Sequence, residues 1–185
     1  AGMPSRRRLV VLFGGRSAEH DVSCVSARHV LAAADATRYE IIPVGLDRNG
    51  RWSMAETAVD ALATNTLPDR LDPTGPAWDP LPRLAELAAG PDPTNVVVFP
   101  LVHGPLGEDG TLQGLLELAD VPYVGSGVLG SALAMDKLAA KEVLAHHGIA
   151  QARHRAIHAD QLVDPTSGGF EAMVLDLLKD LGPTV

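Results

Sequence analysis

Residues 96–114 of the chain read VVVFPLVHGPLGEDGTLQG, and the change of character within this stretch decides the fold. The apolar run Val96–Val102 predicts a buried parallel strand, and residues 112–119 predict a helix. Glycines at positions 104, 107 and 110 allow the connection to turn sharply and to approach a ligand closely. Three titratable side chains lie in the same connection: His103, Glu108 and Asp109. Open α/β sheets bind ligands beyond the carboxyl ends of their strands, so the pattern indicates a binding site.

Strand and helix patterns alternate along the chain, which favours a three-layer αβα fold with a mainly parallel, Rossmann-like sheet. The other predicted strands are Arg8–Phe13, Tyr39–Leu46 and Pro122–Gly125. Asn49 and Gly50 predict a hairpin turn into a short strand at 51–54. Helices are predicted at about 21–34, 81–89, 111–119, 127–135 and 137–147.

Two regions have weaker patterns. Prolines at positions 68, 73, 76, 80 and 82 interrupt residues 55–94, so we expect only one short helix in a surface excursion without chemistry. Beyond Gly148, residues Arg153–Ala159 fit a strand and Phe170–Leu181 fit an amphipathic helix.

Composition excludes several classes of partner and site. The formal net charge of -8 leaves no basic face for phosphates, which argues against nucleic acid. No apolar run approaches the roughly 20 residues of a membrane span, and no signal peptide is recognisable, so we expect no membrane partner and a cytoplasmic location. The single cysteine, Cys24, allows no intramolecular disulfide, and its apolar helical surroundings predict packing. No metal site is predicted, because the histidines at 146, 147, 154 and 158 lack acidic support.

Three segments carry, in order, a resemblance to one known family. They are Leu12–Ser23 (LFGGRSAEHDVS), His103–Gly114, and Pro122–Gly127 running on to Ala134–Lys137. Together they resemble D-alanine–D-alanine ligases, ATP-grasp enzymes of peptidoglycan precursor synthesis. The resemblance implies a tail at residues 1–8, a pre-ATP-grasp substrate-binding domain at 9–149, and the start of the central ATP-grasp domain at 150–185.

The resemblance also implies a reaction. In this family, ATP phosphorylates the carboxylate of one D-alanine, the amine of a second D-alanine attacks the acyl phosphate, and magnesium ions neutralise the phosphates. The expected partners are therefore D-alanine, ATP and Mg²⁺, together with a second copy of the chain, since family members commonly dimerise through this region. Most groups that hold ATP and Mg²⁺ match nothing in the 185 residues, so the chain alone is expected to be inactive.

Individual site residues follow from the same resemblance. Glu19 is expected to be catalytic by holding the ammonium group of the first D-alanine, with Val22 lining the same pocket. His103 would lie beside that D-alanine, supported by Glu108, and Lys137 would contact ATP phosphates. From the residues alone, Glu19 could equally complement a helix dipole, Lys137 could be ordinary surface, and the acids near Thr111 could cap a helix.

Three alternatives remain open at this stage. A D-alanine–D-lactate ligase resembles the same region throughout. An NAD-binding module could use Gly125–Gly130 (GSGVLG), although a helix, not a second strand, is predicted next and carries Glu142 at the acid's spacing. A non-catalytic binding or assembly domain is the third alternative. No P-loop sequence is present, so ATP is not held in that manner.

Overall fold

The computed structural model describes residues 6–89, 95–162, 164 and 166–182. The chain forms two compact units, Ala1–Met135 and Asp136–Val185. This division falls ahead of the domain boundary at residue 149 that the sequence analysis expects, and the domain assignment itself stays a prediction. No helix in the described part is long and apolar enough to cross a bilayer.

The first unit alternates strands and helices in the expected order. Its elements are β1 (Arg7–Gly14), α1 (His20–Ala33), β2 (Tyr39–Leu46), β3 (Trp52–Met54), α2 (Glu56–Thr64), α3 (Pro80–Ala88), β4 (Val96–Pro100), α4 (Thr111–Leu118) and α5 (Val128–Met135). The second unit contains α6 (Lys137–His146), a 3₁₀ turn (Ala159–Gln161) and α7 (Gly168–Leu181).

The four strands form one mixed sheet in the order β3-β2-β1-β4. Central β1 pairs in parallel with both β2 and β4, whereas β3 returns antiparallel to β2 after the predicted hairpin turn. Because the three longer strands run in the same direction, their carboxyl ends meet at one edge of the sheet. This edge is where the sequence places the loop His103–Gly110.

Helices cover both faces of the sheet, which confirms the three-layer architecture. Along β1, Val10 and Leu12 pack on the face that buries residues of α3 and α4, while Val11 and Phe13 pack on the face of α1 and α2. Successive strand residues point to opposite faces, so an unbroken apolar run is needed where both faces are covered. Trp78 packs on the α3 face at a ring-centroid distance of 5.8 Å from Trp52.

Helix α2 is a correction, because only one helix was expected between residues 55 and 94. The prolines that suggested an irregular region all follow Glu56–Thr64, so they do not interrupt this segment. The buried face of α2 consists of Ala58 and Ala61. Small side chains give a weak hydrophobic pattern, although they let the helix pack closely on the sheet.

Two predicted strands are also wrong. Pro122–Gly125 is not a strand: only Tyr123 forms a bridge, parallel to Val98, and Gly125 turns the backbone away at a φ of +128°. Arg153–Ala159 has no regular structure up to its last residue, which starts the 3₁₀ turn. Two arginines of this segment form ion pairs with α7 instead: Arg153 with Asp180 and Arg155 with Asp176.

Candidate functional site

The turn after β1 brings two glycines to the carboxyl edge of the sheet. Gly14 and Gly15 have φ angles of +92° and +105°, which favour glycine, and a Cβ at Gly14 would collide with the carbonyl oxygen of Leu46. The N–H of Gly15 donates to that same oxygen at 2.9 Å. Nδ1 of the buried His20 lies 2.7 Å from the Gly15 carbonyl oxygen. The turn is therefore held against β2 and against the start of α1.

Ser23 joins the ends of two strands through its hydroxyl group. The N–H of Gly14 donates to Ser23 Oγ at 2.7 Å, and Ser23 Oγ donates to the Leu101 carbonyl oxygen at 2.5 Å. The side chain is fully buried. Sequence reasoning did not single out Ser23, although a serine on the inner side of an otherwise apolar helix face was the available signal.

Glu19 lies immediately before α1, where it is exposed. The glycine-rich loop comes close to it: a Cβ built on Gly104 would lie 3.4 Å from Glu19 Oε2 and 2.9 Å from the Cβ of Ser17. Only glycine fits this position, because its φ is +72° and it faces these neighbours. The fold thus brings Glu19 and the loop that starts at His103 to the same edge, as their positions after β1 and β4 require.

The loop is organised by its two carboxylates. Glu108 Oε2 accepts a 2.7 Å hydrogen bond from the Gly104 N–H, and Oε1 lies 3.8 Å from Nδ1 of His103. Asp109 accepts from the N–H groups of Leu106 at 2.8 Å and Thr111 at 3.0 Å. Desolvation of Asp109 opposes ionisation, but these N–H donors prevail and lower its pKa. Asp109 therefore supports the loop and the start of α4, whereas Glu108 faces the histidine.

Val22 and Lys137, the other predicted site residues, are both exposed. Val22 is 56% exposed on the first turn of α1. Lys137 is exposed at the first position of α6 in the second unit, where Asp136 Oδ1 caps the helix by accepting from the N–H groups of Leu138 and Ala139. Those two amides are therefore satisfied by the Asp136 carboxylate, and the role of Lys137 stays a prediction.

The structure also shows the surroundings of Cys24 and of the segment Gly125–Gly130. Cys24 is buried in the α1 core, where desolvation, followed by the charge of Asp21, raises its pKa to about 11. A thiol of that kind is a packing residue, as expected.

Gly125–Gly130 does not follow an extended strand, and α5 leads directly into α6 without a second strand. Among the described residues, no three His, Cys, Asp or Glu side chains are grouped to hold a metal ion.

The candidate site is thus the carboxyl edge of an α/β sheet, where Glu19, His103 and Glu108 lie beside turns whose positive φ angles favour glycine. Comparison with known proteins identifies the family. A family model described as "D-ala D-ala ligase N-terminus" matches residues 8–126.

Curated relatives and solved structures agree with the family model. A D-alanine–D-alanine ligase of Nocardia farcinica is 51% identical over 158 residues, covering 80% of this chain and 43% of the relative. The D-alanine–D-alanine ligase A of Mesorhizobium japonicum is 46% identical over 158 residues, covering 82% of this chain and 43% of the relative.

Two solved structures share the fold. The D-alanine–D-alanine ligase of Coxiella burnetii superposes with a TM-score of 0.66 at 31% identity, covering 92% of this chain and 49% of that one. The VanG D-Ala:D-Ser ligase of Enterococcus faecalis has a TM-score of 0.60 at 32% identity, covering 80% and 44%. The chain belongs to the D-alanine–D-alanine ligase family, and it spans less than half the length of these relatives.

Proposed function

We propose that this chain supplies the first D-alanine site of an ATP-dependent D-alanine–D-alanine ligase of peptidoglycan synthesis. The observation that carries the proposal is the meeting of Glu19 with the His103–Gly110 loop at the carboxyl edge of the sheet. These two segments come from distant parts of the chain, and both lie within the residues that match the family model.

Each side chain has a chemical task in this proposal. The Glu19 carboxylate attracts the ammonium group of the first D-alanine, and its catalytic contribution is to hold that substrate in place for reaction. His103 lies beside the substrate and can pair with its carboxylate when protonated. Glu108 contacts the substrate region through His103 and through the loop backbone, and the exposed Val22 offers an apolar wall to the methyl group.

Lys137 is proposed to contact the phosphates of ATP. A lysine ammonium is a compact charge suited to phosphate oxygens, and Lys137 is exposed at a helix start. ATP supplies the phosphoryl group that activates the first carboxylate. The described residues offer no cluster of carboxylates for Mg²⁺, so the proposal assigns the metal ligands and most ATP contacts to the part of the relatives that this chain does not match.

The reaction needs groups on both sides of a cleft, because transition-state stabilisation comes from donors and charges that surround the transferring phosphoryl group. We therefore propose that the chain alone is inactive. A cytoplasmic location and a homodimer are proposed on the same family grounds.

A ligase with a different second substrate is the alternative function that the comparisons support. The similarity to a D-Ala:D-Ser ligase shows that this fold also occurs in an enzyme named for a different second substrate. The residues at the Glu19 edge face the first substrate in the proposal, so a D-serine or D-lactate acceptor would leave them unchanged.

A hybrid ligase tests the proposal. It consists of this chain followed by the part of the Nocardia farcinica relative that the chain does not match. With ATP, Mg²⁺ and D-alanine, the hybrid should release phosphate and form D-alanyl-D-alanine, and the 185-residue chain should form none. Dipeptide formation by the chain alone, or a folded hybrid that binds ATP but never consumes D-alanine, would refute the proposal.

A further inference from the structure

A cavity of about 310 Å³ lies between the His103–Gly110 loop, α4, the residues that lead into α5, and α5 itself. All its lining residues belong to the first unit. The polar side chains of the lining are His103, Glu108, Gln113, Ser126 and Ser131. Two of them present buried polar atoms that lack a hydrogen-bond partner in the described part of the chain: Nε2 of His103 and Oε1 of Gln113.

The orientation of the Gln113 amide is set by the loop. Its Nε2 donates to the Gly107 carbonyl oxygen at 2.9 Å, and a carbonyl can only accept, so the amide cannot be turned around. Oε1 is therefore the amide atom left without a partner, and only 7% of Gln113 is exposed. A buried acceptor of this kind needs a donor.

The other ring nitrogen of His103, Nδ1, faces the carboxylate of Glu108. Nδ1 lies 3.8 Å from Glu108 Oε1, and a carboxylate favours a proton on the nitrogen that faces it. With the proton on Nδ1, the neutral ring leaves Nε2 as an acceptor. Two residues that line one cavity then each hold a buried acceptor, and neither acceptor can satisfy the other.

We propose that this cavity binds a small double hydrogen-bond donor, an ordered water molecule, whose two O–H groups donate to His103 Nε2 and Gln113 Oε1. Gln113 is thereby a positioning residue that fixes the ring and the tautomer of His103 through this water. An anion does not fit this cavity, because it would face two acceptors and the Glu108 carboxylate. An apolar molecule does not fit either, because it would leave both acceptors unsatisfied. The cavity has polar side chains in its lining and is larger than one water molecule requires.

The consequence for substrate rests on the proposed function, because only there does His103 touch D-alanine. A ring held by Glu108 on one side and by the water on the other would meet the substrate in a single orientation. The water and the tautomer themselves require only the geometry of the first unit.

The test is nitrogen NMR of the His103 ring in the 185-residue chain. At about pH 8.5, long-range proton–nitrogen correlations show which nitrogen carries the proton. The wild-type ring should be predominantly the Nδ1–H tautomer. In Gln113→Met, which keeps the side-chain length but removes the acceptor, the ratio of Nδ1–H to Nε2–H should fall about fivefold, the factor that one ordinary hydrogen bond supplies.

The matched control is Ser131→Ala. This serine lines the same cavity and is 7% exposed, but its hydroxyl already donates to the Ser126 carbonyl oxygen. The control should leave the tautomer ratio unchanged. A predominant Nε2–H tautomer in the wild type, an unchanged ratio in Gln113→Met, or an equal fall in both variants would overturn the proposal.

A second measurement needs no variant. Nuclear Overhauser transfer in the wild-type chain should connect a long-lived water with the His103 ring protons and the Gln113 amide protons, and the absence of such transfer would also overturn the proposal. Because neither readout involves ligation, an inactive hybrid ligase would refute the proposed function and leave this inference standing.

Discussion

Removing the Ser23 hydroxyl should destabilise the first unit, because the hydroxyl joins the ends of two strands. Ser23 Oγ accepts from Gly14 N–H and donates to the Leu101 carbonyl oxygen, so Ser23→Ala strands two backbone groups at the ends of β1 and β4. The Gly14 N–H is buried, and an unsatisfied buried donor costs about 1–3 kcal/mol. The Leu101 bond is only partly buried and adds less. We expect a loss of about 2–3 kcal/mol in the free energy of unfolding.

Urea unfolding followed by tryptophan fluorescence is the assay, because Trp52 and Trp78 are the two tryptophans of the chain and both lie in the first unit. At about 3 °C per kcal/mol, the thermal midpoint should fall by about 6–9 °C. Ser26→Ala, on the same helix at a half-buried position, is the control and should change stability by less than about 0.5 kcal/mol. If the two variants unfold at the same urea concentration, the hydroxyl does not join the strand ends as described.

The remaining predictions concern the turn, the cysteine and the proposed ATP contact. Gly14→Ala should cost about 1–3 kcal/mol by urea unfolding, because its positive φ and the Leu46 carbonyl leave no place for a Cβ; wild-type stability would contradict this. The raised pKa of Cys24 means that folding favours the thiol, so this contribution is intact below pH 9 and is lost as the pH rises to about 11. Over that interval wild-type stability should fall more steeply than that of Cys24→Ala, and parallel pH profiles would refute the assignment. In the hybrid ligase, Lys137→Ala should raise the KM for ATP at an unchanged thermal midpoint, whereas Lys179→Ala on α7 should alter neither. An unchanged KM for ATP would remove Lys137 from the nucleotide site.

The sheet was predictable because the patterns that specify its strands and its tight turn are local in the sequence. In β1, consecutive apolar side chains serve two faces, and Asn49 with Gly50 leaves few alternatives to a tight turn into β3. Helix α2 was missed because alanines form its buried face and therefore give little periodic signal. Tyr123 makes one parallel bridge and no strand because Gly125 leaves the extended conformation two residues later.

The candidate site was predictable in part. Glu19 and His103 follow strands whose carboxyl ends must share an edge, so their proximity follows from the topology. The partners of Ser23 and Gln113 could not be predicted in the same way. The Leu101 carbonyl lies 78 residues from Ser23 in the chain. The presence of a serine or a glutamine in a sequence does not indicate which group it will bond to. Such bonds depend on the final packing, in which each buried polar atom has to find an acceptor or donor.

The substrate kinetics of Glu19→Gln in the hybrid ligase test the central claim most directly. The substitution keeps the shape of the side chain but removes the charge that is proposed to hold the ammonium group of the first D-alanine. We predict a KM for the first D-alanine raised about tenfold or more, with the KM for ATP within about twofold of wild type. Glu56→Gln, an exposed carboxylate at the start of α2, should change neither value. An unchanged KM for D-alanine in Glu19→Gln, or an equal rise for D-alanine and ATP, would contradict the claim that this edge binds the first D-alanine.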